Sequence, residues 1–249
     1  MSGRVVLITG GSRGIGRATV QEFAAHGDTV VINFRSDEAA ATKTLHSLKG
    51  EKHAAIRADL TDPESAAELI EAVTEHYGRL DVLVNNAGGY DRHPPLDTSY
   101  NDWQQHWEAT TKLNLLAPVN LMYLAGRYMA QHGGGRIVNV SSRGAFRGEP
   151  LAPAYAASKA GLNAAAQSMA RAMGSSKVFI TCVAPGFVET DMARRILDSP
   201  EGEEIRVQSP LGRVARPEEV ARAIYFLASG KADFCTGAIL DINGASYLR

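Results

Sequence analysis

The chain has 249 residues, of which 45% are hydrophobic, and this length and composition allow one α/β domain with a full core. A formal net charge of -1 excludes a strongly basic protein, so we expect neither nucleic acid nor an anionic membrane as a partner. No apolar run approaches the roughly 20 residues that a membrane-spanning helix needs.

Cysteine usage and the first residues predict the compartment. The two cysteines, Cys182 and Cys235, both lie among apolar residues. The chain starts MSGRVVLITG and enters a strand-like run at once, without the regions of a signal peptide. We therefore expect a cytoplasmic protein with reduced thiols. The histidines show no metal-ligand spacing, so we expect no metal in the chemistry.

Short runs rich in Val and Ile alternate with longer segments of helical period along the chain. This alternation predicts a doubly wound parallel sheet with helices on both faces, formed by one domain over residues 1–249. The predicted strands are Arg4–Thr9, Thr29–Asn33, His53–Ala58, Asp81–Asn85, Arg136–Ser141, Val178–Val183 and Ala238–Ile242. The predicted helices are Ile15–His26, Asp37–Leu48, Pro63–Tyr77, Asn101–Met129, Ala154–Met173 and Pro217–Ala228.

One segment breaks this alternation. Glu189–Gly212 is long, mixed in charge and follows the sixth predicted strand, at the edge where open α/β sheets bind ligands. We expect it to be a mobile substrate lid. The alternative is an inert surface excursion.

A glycine-rich loop, T-G-G-S-R-G-I-G, joins the first predicted strand to the first predicted helix. Glycines permit the tight turn and let backbone N–H groups and the helix N-terminus approach a pyrophosphate. The residues predicted to bind the cofactor here are Gly10, Ser12, Arg13, Gly14, Ile15 and Gly16. The alternative is a glycine-rich turn without a ligand.

The end of the second predicted strand indicates which dinucleotide is bound. An acid at this place commonly binds the ribose hydroxyls, but here Phe34 occupies it, followed by Arg35 and Ser36. Two guanidiniums, from Arg13 and Arg35, suit a 2′-phosphate because the planar fork binds phosphate bidentately. The sequence therefore favours NADP(H), although either arginine alone could be a solvated surface charge.

Tyr155 and Lys159 are four positions apart in a predicted helix and so share one face. A nearby ammonium favours phenolate, so we expect Lys159 to lower the pKa of Tyr155 from its ordinary value of about 10. Tyr155 would then act as general acid in reduction and as base in oxidation. Taken alone, this spacing arises by chance in many helices.

Further motifs, in chain order, resemble those of the short-chain dehydrogenase/reductase family. Besides the glycine loop they are Asn85-Asn86-Ala87-Gly88, Lys112-Leu113-Asn114-Leu115, Asn139-Val140-Ser141-Ser142, Tyr155-Ala156-Ala157-Ser158-Lys159 and Ala184-Pro185-Gly186-Phe187-Val188-Glu189-Thr190. The resemblance runs from residue 4 to about residue 244. It implies an NADP(H)-dependent oxidoreductase that reduces a carbonyl to an alcohol, on a doubly wound sheet of seven strands.

The resemblance also implies catalytic roles. Ser142 lies 13 positions before Tyr155, the family's separation between catalytic serine and tyrosine, and its hydroxyl would donate to the substrate carbonyl oxygen. Ser141, as its neighbour on a strand, should face the opposite way. Asn114 would hold a water beside Lys159 and complete a proton relay; the alternative is an asparagine that merely packs on its neighbours.

The remaining cofactor contacts follow from the same resemblance. Asp59 and Leu60 would contact the adenine, although this segment could equally be an ordinary helix cap. The residues lining the nicotinamide end would be Asn86, Ala87, Gly88, Tyr155, Lys159, Pro185, Gly186, Val188 and Thr190. The family's usual assembly implies a homotetramer or homodimer packed through helices Asn101–Met129 and Ala154–Met173.

The run P-G-F-V-E-T-D-M and the later Pro210–Ala221 stretch are similar to the branch containing 3-oxoacyl-acyl-carrier-protein reductases. The segment Ala130–Gly135 lacks the basic residues which that branch uses toward its carrier protein, so such a partner is in doubt. Sugar, alcohol and steroid dehydrogenases share every motif, and motif alone cannot choose among them. A remoter alternative is a catalytically idle NADP(H)-binding regulatory module.

Two loops border the expected cleft. Arg143, Arg147 and Glu149 lie between Ser142 and Tyr155, where an arginine could clamp a carboxylate or phosphate, but solvated loop charges are the simpler interpretation. His93 precedes two prolines and predicts a plain turn.

Overall fold

The computed structural model describes residues 3–50 and 52–249, and its centre is one parallel sheet of seven strands. The strands are β1 Val5–Thr9, β2 Thr29–Phe34, β3 Ala54–Arg57, β4 Val82–Asn85, β5 Gly135–Val140, β6 Val178–Pro185 and β7 Ile239–Ile242. Their order across the sheet is β3-β2-β1-β4-β5-β6-β7, and every neighbouring pair is parallel. The predicted sheet is confirmed. Its order reverses between β1 and β4, the position where doubly wound sheets bind their ligands.

Helices connect successive strands and cover both faces. They are α1 Gly14–Ala25, α2 Glu38–His46, α3 Pro63–Tyr77, α4 Tyr100–Thr111, α5 Ala117–Gln131, α6 Gly144–Arg147, α7 Pro153–Met173, α8 Asp191–Leu197, α9 Glu201–Val207 and α10 Pro217–Leu227. Within the part of the chain that the structure describes, no helix combines the length and apolarity needed to cross a membrane.

The core consists of two layers, one on each face of the sheet. Alternate strand residues point to opposite faces, so Leu7 joins the layer packed under α3, α5 and α7, whereas Ile8 joins the layer under α1 and α10. Both are fully buried. Burial on both faces explains why these strands are continuous apolar runs rather than alternating ones.

The predicted helix Asn101–Met129 is wrong as a single α-helix. A π-helical turn, Lys112–Leu116, separates α4 from α5. Pro118 has no N–H to donate to the carbonyl four residues earlier, that of Asn114, so the α-helical hydrogen-bond ladder cannot continue there. Such turns are frequent at functional sites, and this one contains the asparagine singled out from the sequence.

No helix was predicted in the segment 189–212, but the structure has two helices there. They are α8 and α9, separated by a short turn. Thr190 caps α8 by accepting a hydrogen bond from the N–H of Ala193 at 3.3 Å, and Pro200 immediately precedes α9. Both features are typical of helix starts, and the sequence analysis did not recognise them within this long segment.

Candidate active site

The residues singled out from the sequence converge at the carboxyl edge of the sheet. The β1–α1 loop, the ends of β4, β5 and β6, the π-helical turn and the first turns of α7 all meet there. The site therefore lies where the sheet's order reverses, as expected for a nucleotide-binding fold.

The β1–α1 loop has the backbone that a pyrophosphate site needs. Gly10 and Gly14 have φ of 62° and 52°, the left-handed region that favours glycine. A Cβ at Gly16 would lie 2.2 Å from the carbonyl oxygen of Gly10, so only glycine fits there. Helix α1 has no acidic residue in its first turn and no side-chain cap. Its first N–H groups are thus available to an anion, and the loop fits a dinucleotide phosphate.

Asn86 braces this loop from the end of β4. Its side-chain amide donates to the carbonyls of Thr9 at 2.9 Å and Gly10 at 3.1 Å. In return, the Thr9 hydroxyl accepts from the main-chain N–H groups of Asn86 at 2.9 Å and Ala87 at 3.0 Å. Asn86, which was predicted to border the cofactor, thus links the ends of β1 and β4 and fixes the distance between them.

Gly88 lets two polar groups, the Asn114 amide and the Lys159 ammonium, approach the loop after β4. A Cβ there would lie 3.1 Å from Asn114 Oδ1 and 3.4 Å from Lys159 Nζ. The amide of Asn114 accepts from the N–H of Gly89 at 2.9 Å and donates to its carbonyl at 2.8 Å. One hydrogen bond in each direction therefore ties Asn114 to the loop after β4, so this side chain braces that loop.

Ser142 and Tyr155 are brought together, while Ser141 faces away. The Ser142 side chain lies near enough to Tyr155 to lower the pKa of its phenol, and the Ser142 hydroxyl accepts from the N–H of Gly144 at 3.0 Å. The Ser141 hydroxyl is buried and points to the carbonyl of Lys159 at 3.4 Å. The two hydroxyls therefore contact different groups, although β5 ends at Val140 and the alternation expected of strand residues does not apply to them.

The pKa of Tyr155 shifts opposite to the prediction. Burial of the phenol raises its pKa above 10.0, and the hydrogen bond from Ser142 offsets this only in part. Lys159 does not counteract the rise, because its ammonium donates to the carbonyl of Val140 at 2.8 Å and lies 5.9 Å from the centre of the tyrosine ring. The phenol is therefore neutral at pH 7, in the protonated form that a general acid requires.

Lys159 is itself perturbed. It is buried and has no carboxylate partner among the described residues, and burial lowers its pKa to about 8. An ammonium with this pKa is mostly charged at pH 7 but loses its charge in mildly alkaline solution.

Cations cluster at the ends of β2 and β3. Arg35 is exposed, and Arg57, opposite Phe34 in the sheet, donates to the carbonyl of Arg35 at 3.0 Å. Arg13 is exposed and pairs at 3.6 Å with Asp37, which also caps α2. This exposed ion pair is weak and leaves the guanidinium free to rearrange. The sequence interpretation missed Arg57, whose position opposite Phe34 only the strand register reveals.

The other predicted cofactor residues also lie along this edge. The Asp59 carboxylate accepts from the N–H of Thr61 at 3.0 Å and from its hydroxyl at 2.7 Å, and these bonds lower the pKa of Asp59. Leu60 is buried. Thr190 faces the phosphate loop, since its methyl carbon would lie 3.0 Å from a Cβ at Gly14. Pro185 ends β6, and Gly186 and the buried Val188 follow it.

His93, predicted as a plain turn residue, is buried and contacts α7, the helix that contains Tyr155. Its main-chain N–H donates to Leu151 O at 2.8 Å, and its Nε2 accepts from the N–H of Ala154 at 3.1 Å. The N-cap residue of α7, Ala152, provides no side-chain cap, so His93 caps this helix from a distant loop. Nε2 must be unprotonated to accept, so Nδ1 has the proton and donates to Asp91 O at 2.9 Å.

Replacing His93 with leucine is expected to lower kcat about 10-fold, because the first turn of α7 positions Tyr155. The KM for the dinucleotide should change little. His93→Gln places an amide near Nε2 and should recover most of the kcat, whereas His93→Asn places it near Nδ1 and should not. Steady-state kinetics of the three variants test this. Equal kcat for the Gln and Asn variants would contradict a capping role.

The arginines of the loop between Ser142 and Tyr155 are not both solvated charges, which was the simpler interpretation. Arg147 is exposed and pairs with Glu149 at 3.4 Å, but Arg143 is buried. Among the residues that the structure describes, no three His, Cys, Asp or Glu side chains are grouped so that they could hold a metal ion.

Comparison with known proteins identifies the family. The family model described as Enoyl-(Acyl carrier protein) reductase matches residues 10–245. A 3-oxoacyl-[acyl-carrier-protein] reductase of Thermotoga maritima is 37% identical over 246 residues, 98% of each chain. The chain belongs to the short-chain dehydrogenase/reductase family. An L-rhamnose 1-dehydrogenase (NAD(P)(+)) of Sphingomonas is similarly 34% identical over 253 residues, covering 100% of this chain and 98% of that protein.

Membership in the short-chain dehydrogenase/reductase family confirms the resemblance drawn from the motifs. The protein is an oxidoreductase that uses a nicotinamide cofactor and acts on a carbonyl or alcohol group of a small molecule. The glycine loop that fits a pyrophosphate and the Ser142–Tyr155 pair that fits a carbonyl oxygen agree with this class of reaction.

Proposed function

We propose that this protein is an NADPH-dependent carbonyl reductase in which Ser142, Tyr155 and Lys159 perform the chemistry. The observation on which the proposal rests is the grouping of Ser142 and a neutral Tyr155 beside the buried Lys159, whose ammonium lies 5.9 Å from the centre of the tyrosine ring. Two neighbouring hydroxyls can both donate hydrogen bonds to a carbonyl oxygen of the substrate as negative charge develops on that oxygen.

In this mechanism each residue has one task. Ser142 orients the substrate by donating to its carbonyl oxygen, and Tyr155 donates the proton that makes the hydroxyl group. Lys159 would stabilise the phenolate left behind by turning toward it from the Val140 carbonyl, and Asn114 would contribute to a proton relay toward solvent. The nicotinamide, when bound, supplies the hydride. The reverse reaction would use Tyr155 as the base.

The cofactor would be held along the carboxyl edge of the sheet. We assign the pyrophosphate to the β1–α1 loop and the adenine to Asp59 and Leu60. The nicotinamide end would contact the residues after β4, β6 and the start of α7, which are Asn86, Ala87, Gly88, Tyr155, Lys159, Pro185, Gly186, Val188 and Thr190. Exposed Arg35 and Arg13, with no acid at Phe34, support NADPH over NADH.

The relatives suggest two substrate classes. Several are named as 3-oxoacyl-[acyl-carrier-protein] reductases, so a 3-oxoacyl thioester is our first candidate. The L-rhamnose 1-dehydrogenase supports a sugar as the second candidate. The segment Ala130–Gly135 contains no lysine or arginine and so gives no support to a carrier protein as the physiological partner.

A substrate panel tests this function. With NADPH, the protein is expected to reduce at least one short 3-oxoacyl thioester or ketone at a kcat of about 1–10³ s⁻¹. NADPH oxidation is followed at 340 nm across ketones, 3-oxoacyl thioesters and sugar lactones, with NADP⁺ plus sugars in the reverse direction. Binding of NADPH without turnover of any compound would instead support an idle regulatory module.

The wider organisation is also a proposal. We infer that the chain acts as one cofactor-binding and catalytic unit in the cytoplasm and that residues 189–212 close over the substrate. Closure would exclude water from the site. The exposed Leu116 and Tyr123, on the π-helical turn and α5, support self-association through these helices as a homotetramer or homodimer.

A further inference from the structure

Arg143, the residue after Ser142, is a buried charged side chain. Its side chain is only 3% exposed, although arginine is almost never fully buried unless it is paired. Its guanidinium lies over the ring of Phe187 at 5.3 Å. It donates to Gln208 Oε1 at 2.6 Å and to the hydroxyl of Ser246. These two partners come from the proposed lid and from the C-terminal tail.

Neither of these partners has a charge. Among the described residues, Arg143 forms no ion pair with a carboxylate, whereas Arg213 pairs with Glu219 and Arg249 with Asp241 in the same cleft. Glu219 and Asp241 are thus each already paired with another arginine. Burial lowers the pKa of Arg143 to about 10, which still leaves it charged at pH 7. A buried cation with only neutral partners is costly, so the site favours an anion.

Arg143 lines an open cleft rather than a packed core. The cleft measures about 730 Å³, and its walls include Phe187, Ile205 and Ser209 as well as the C-terminal tail. Arg143 directly follows Ser142, and Phe187 directly follows Gly186. Two walls of the cleft thus start just after β5 and β6, the same strand ends that are followed by Ser142 and Gly186.

We propose that this cleft binds a carboxylate of the substrate through Arg143, so that the protein reduces carbonyl compounds that also contain an acid group. The inference rests on the proposed reductase function and specifies its substrate class. A guanidinium binds a carboxylate through two parallel hydrogen bonds. The Gln208 amide and the Ser246 hydroxyl, which now accept, can rotate to donate to the incoming oxygens.

Matched acids and esters test the proposal. The substrates are 4-oxopentanoate and 6-oxoheptanoate, each compared with its methyl ester, with NADPH as the cofactor. The wild type should prefer at least one acid to its ester about 10-fold or more in kcat/KM. In Arg143→Met this acid-to-ester ratio should fall to about 1. Arg222→Gln is the matched control, because Arg222 is an exposed arginine of α10 outside the cleft lining, and it should keep the wild-type ratio.

Two results would overturn the inference. One is a wild-type ratio near 1 for both pairs, and the other is an Arg143→Met variant that loses acid and ester turnover equally, as expected if Arg143 only holds the lid and tail together. If the Met variant does not fold, Arg143→Lys replaces it, since lysine keeps the charge but lacks the fork. A ratio lowered at least threefold then supports the proposal, and an unchanged ratio contradicts it.

A binding measurement separates this inference from the proposed function. If no ketone is reduced, the proposed function fails, and calorimetry with hexanoate, an unreactive carboxylate, is the deciding measurement. Binding to the wild type and not to the Arg143 variant would support the carboxylate site. Absence of binding to the wild type would overturn it.

Discussion

Tyr155→Phe is expected to lower kcat by a factor of about 10²–10⁴, the contribution typical of a general acid, while NADPH binding stays nearly intact. The substitution removes only the hydroxyl that donates the proton and keeps the ring that packs edge-on against Tyr90 at 5.1 Å. Stopped-flow turnover and fluorescence titration with NADPH measure the two quantities separately.

Tyr90→Phe is the matched control, because it removes a hydroxyl from the neighbouring ring in that pair and should retain most activity. Lys159→Ala should lose both turnover and part of the cofactor affinity, since Lys159 is assigned to both. A Tyr155→Phe enzyme that keeps more than about a tenth of wild-type kcat would show that another group supplies the proton.

The wild type is expected to prefer NADPH to NADH by about 10- to 1,000-fold in kcat/KM, where each factor of ten corresponds to about 1.4 kcal/mol. Charge-assisted contacts from Arg35 and Arg13 would each contribute about 1.5–3 kcal/mol if they were desolvated. Both side chains are exposed, so solvent screening reduces that sum. Higher salt should shrink the preference for the same reason.

Phe34→Asp combined with Arg35→Ala should reverse this preference, because a carboxylate accepts from the two ribose hydroxyls of NADH and repels a 2′-phosphate. Phe34 is only 7% exposed, so a thermal unfolding measurement should check that the double variant folds. If it does not fold, Arg35→Ala alone replaces it. Lys43→Ala, which removes an exposed charge from α2, should leave the preference unchanged. Equal use of both cofactors by the wild type would contradict the assignment of Arg13 and Arg35.

Local patterns in the sequence determined the sheet and the chemistry. Seven apolar runs predicted seven strands, and the five inner strands are buried on both faces, so they cannot alternate polar and apolar residues. The spacing of Tyr155 and Lys159, and the glycines at 10, 14 and 16, likewise depend on contacts within a few residues. Such contacts follow directly from helix and turn geometry, and so they could be predicted.

Contacts between distant segments were decided only by the tertiary structure. His93 caps a helix that begins 60 residues later at Pro153, and Arg143 bonds to Ser246, 103 residues away. No local period marks either residue. Lys159 was predicted to lower the pKa of Tyr155, but burial raises it, because desolvation depends on how many distant elements pack around the phenol. The break in the long helix is an intermediate case. Pro118 was visible in the sequence, but the hydrogen bonds between the Asn114 side-chain amide and the main chain of Gly89 depend on the packing of the helix against the loop after β4.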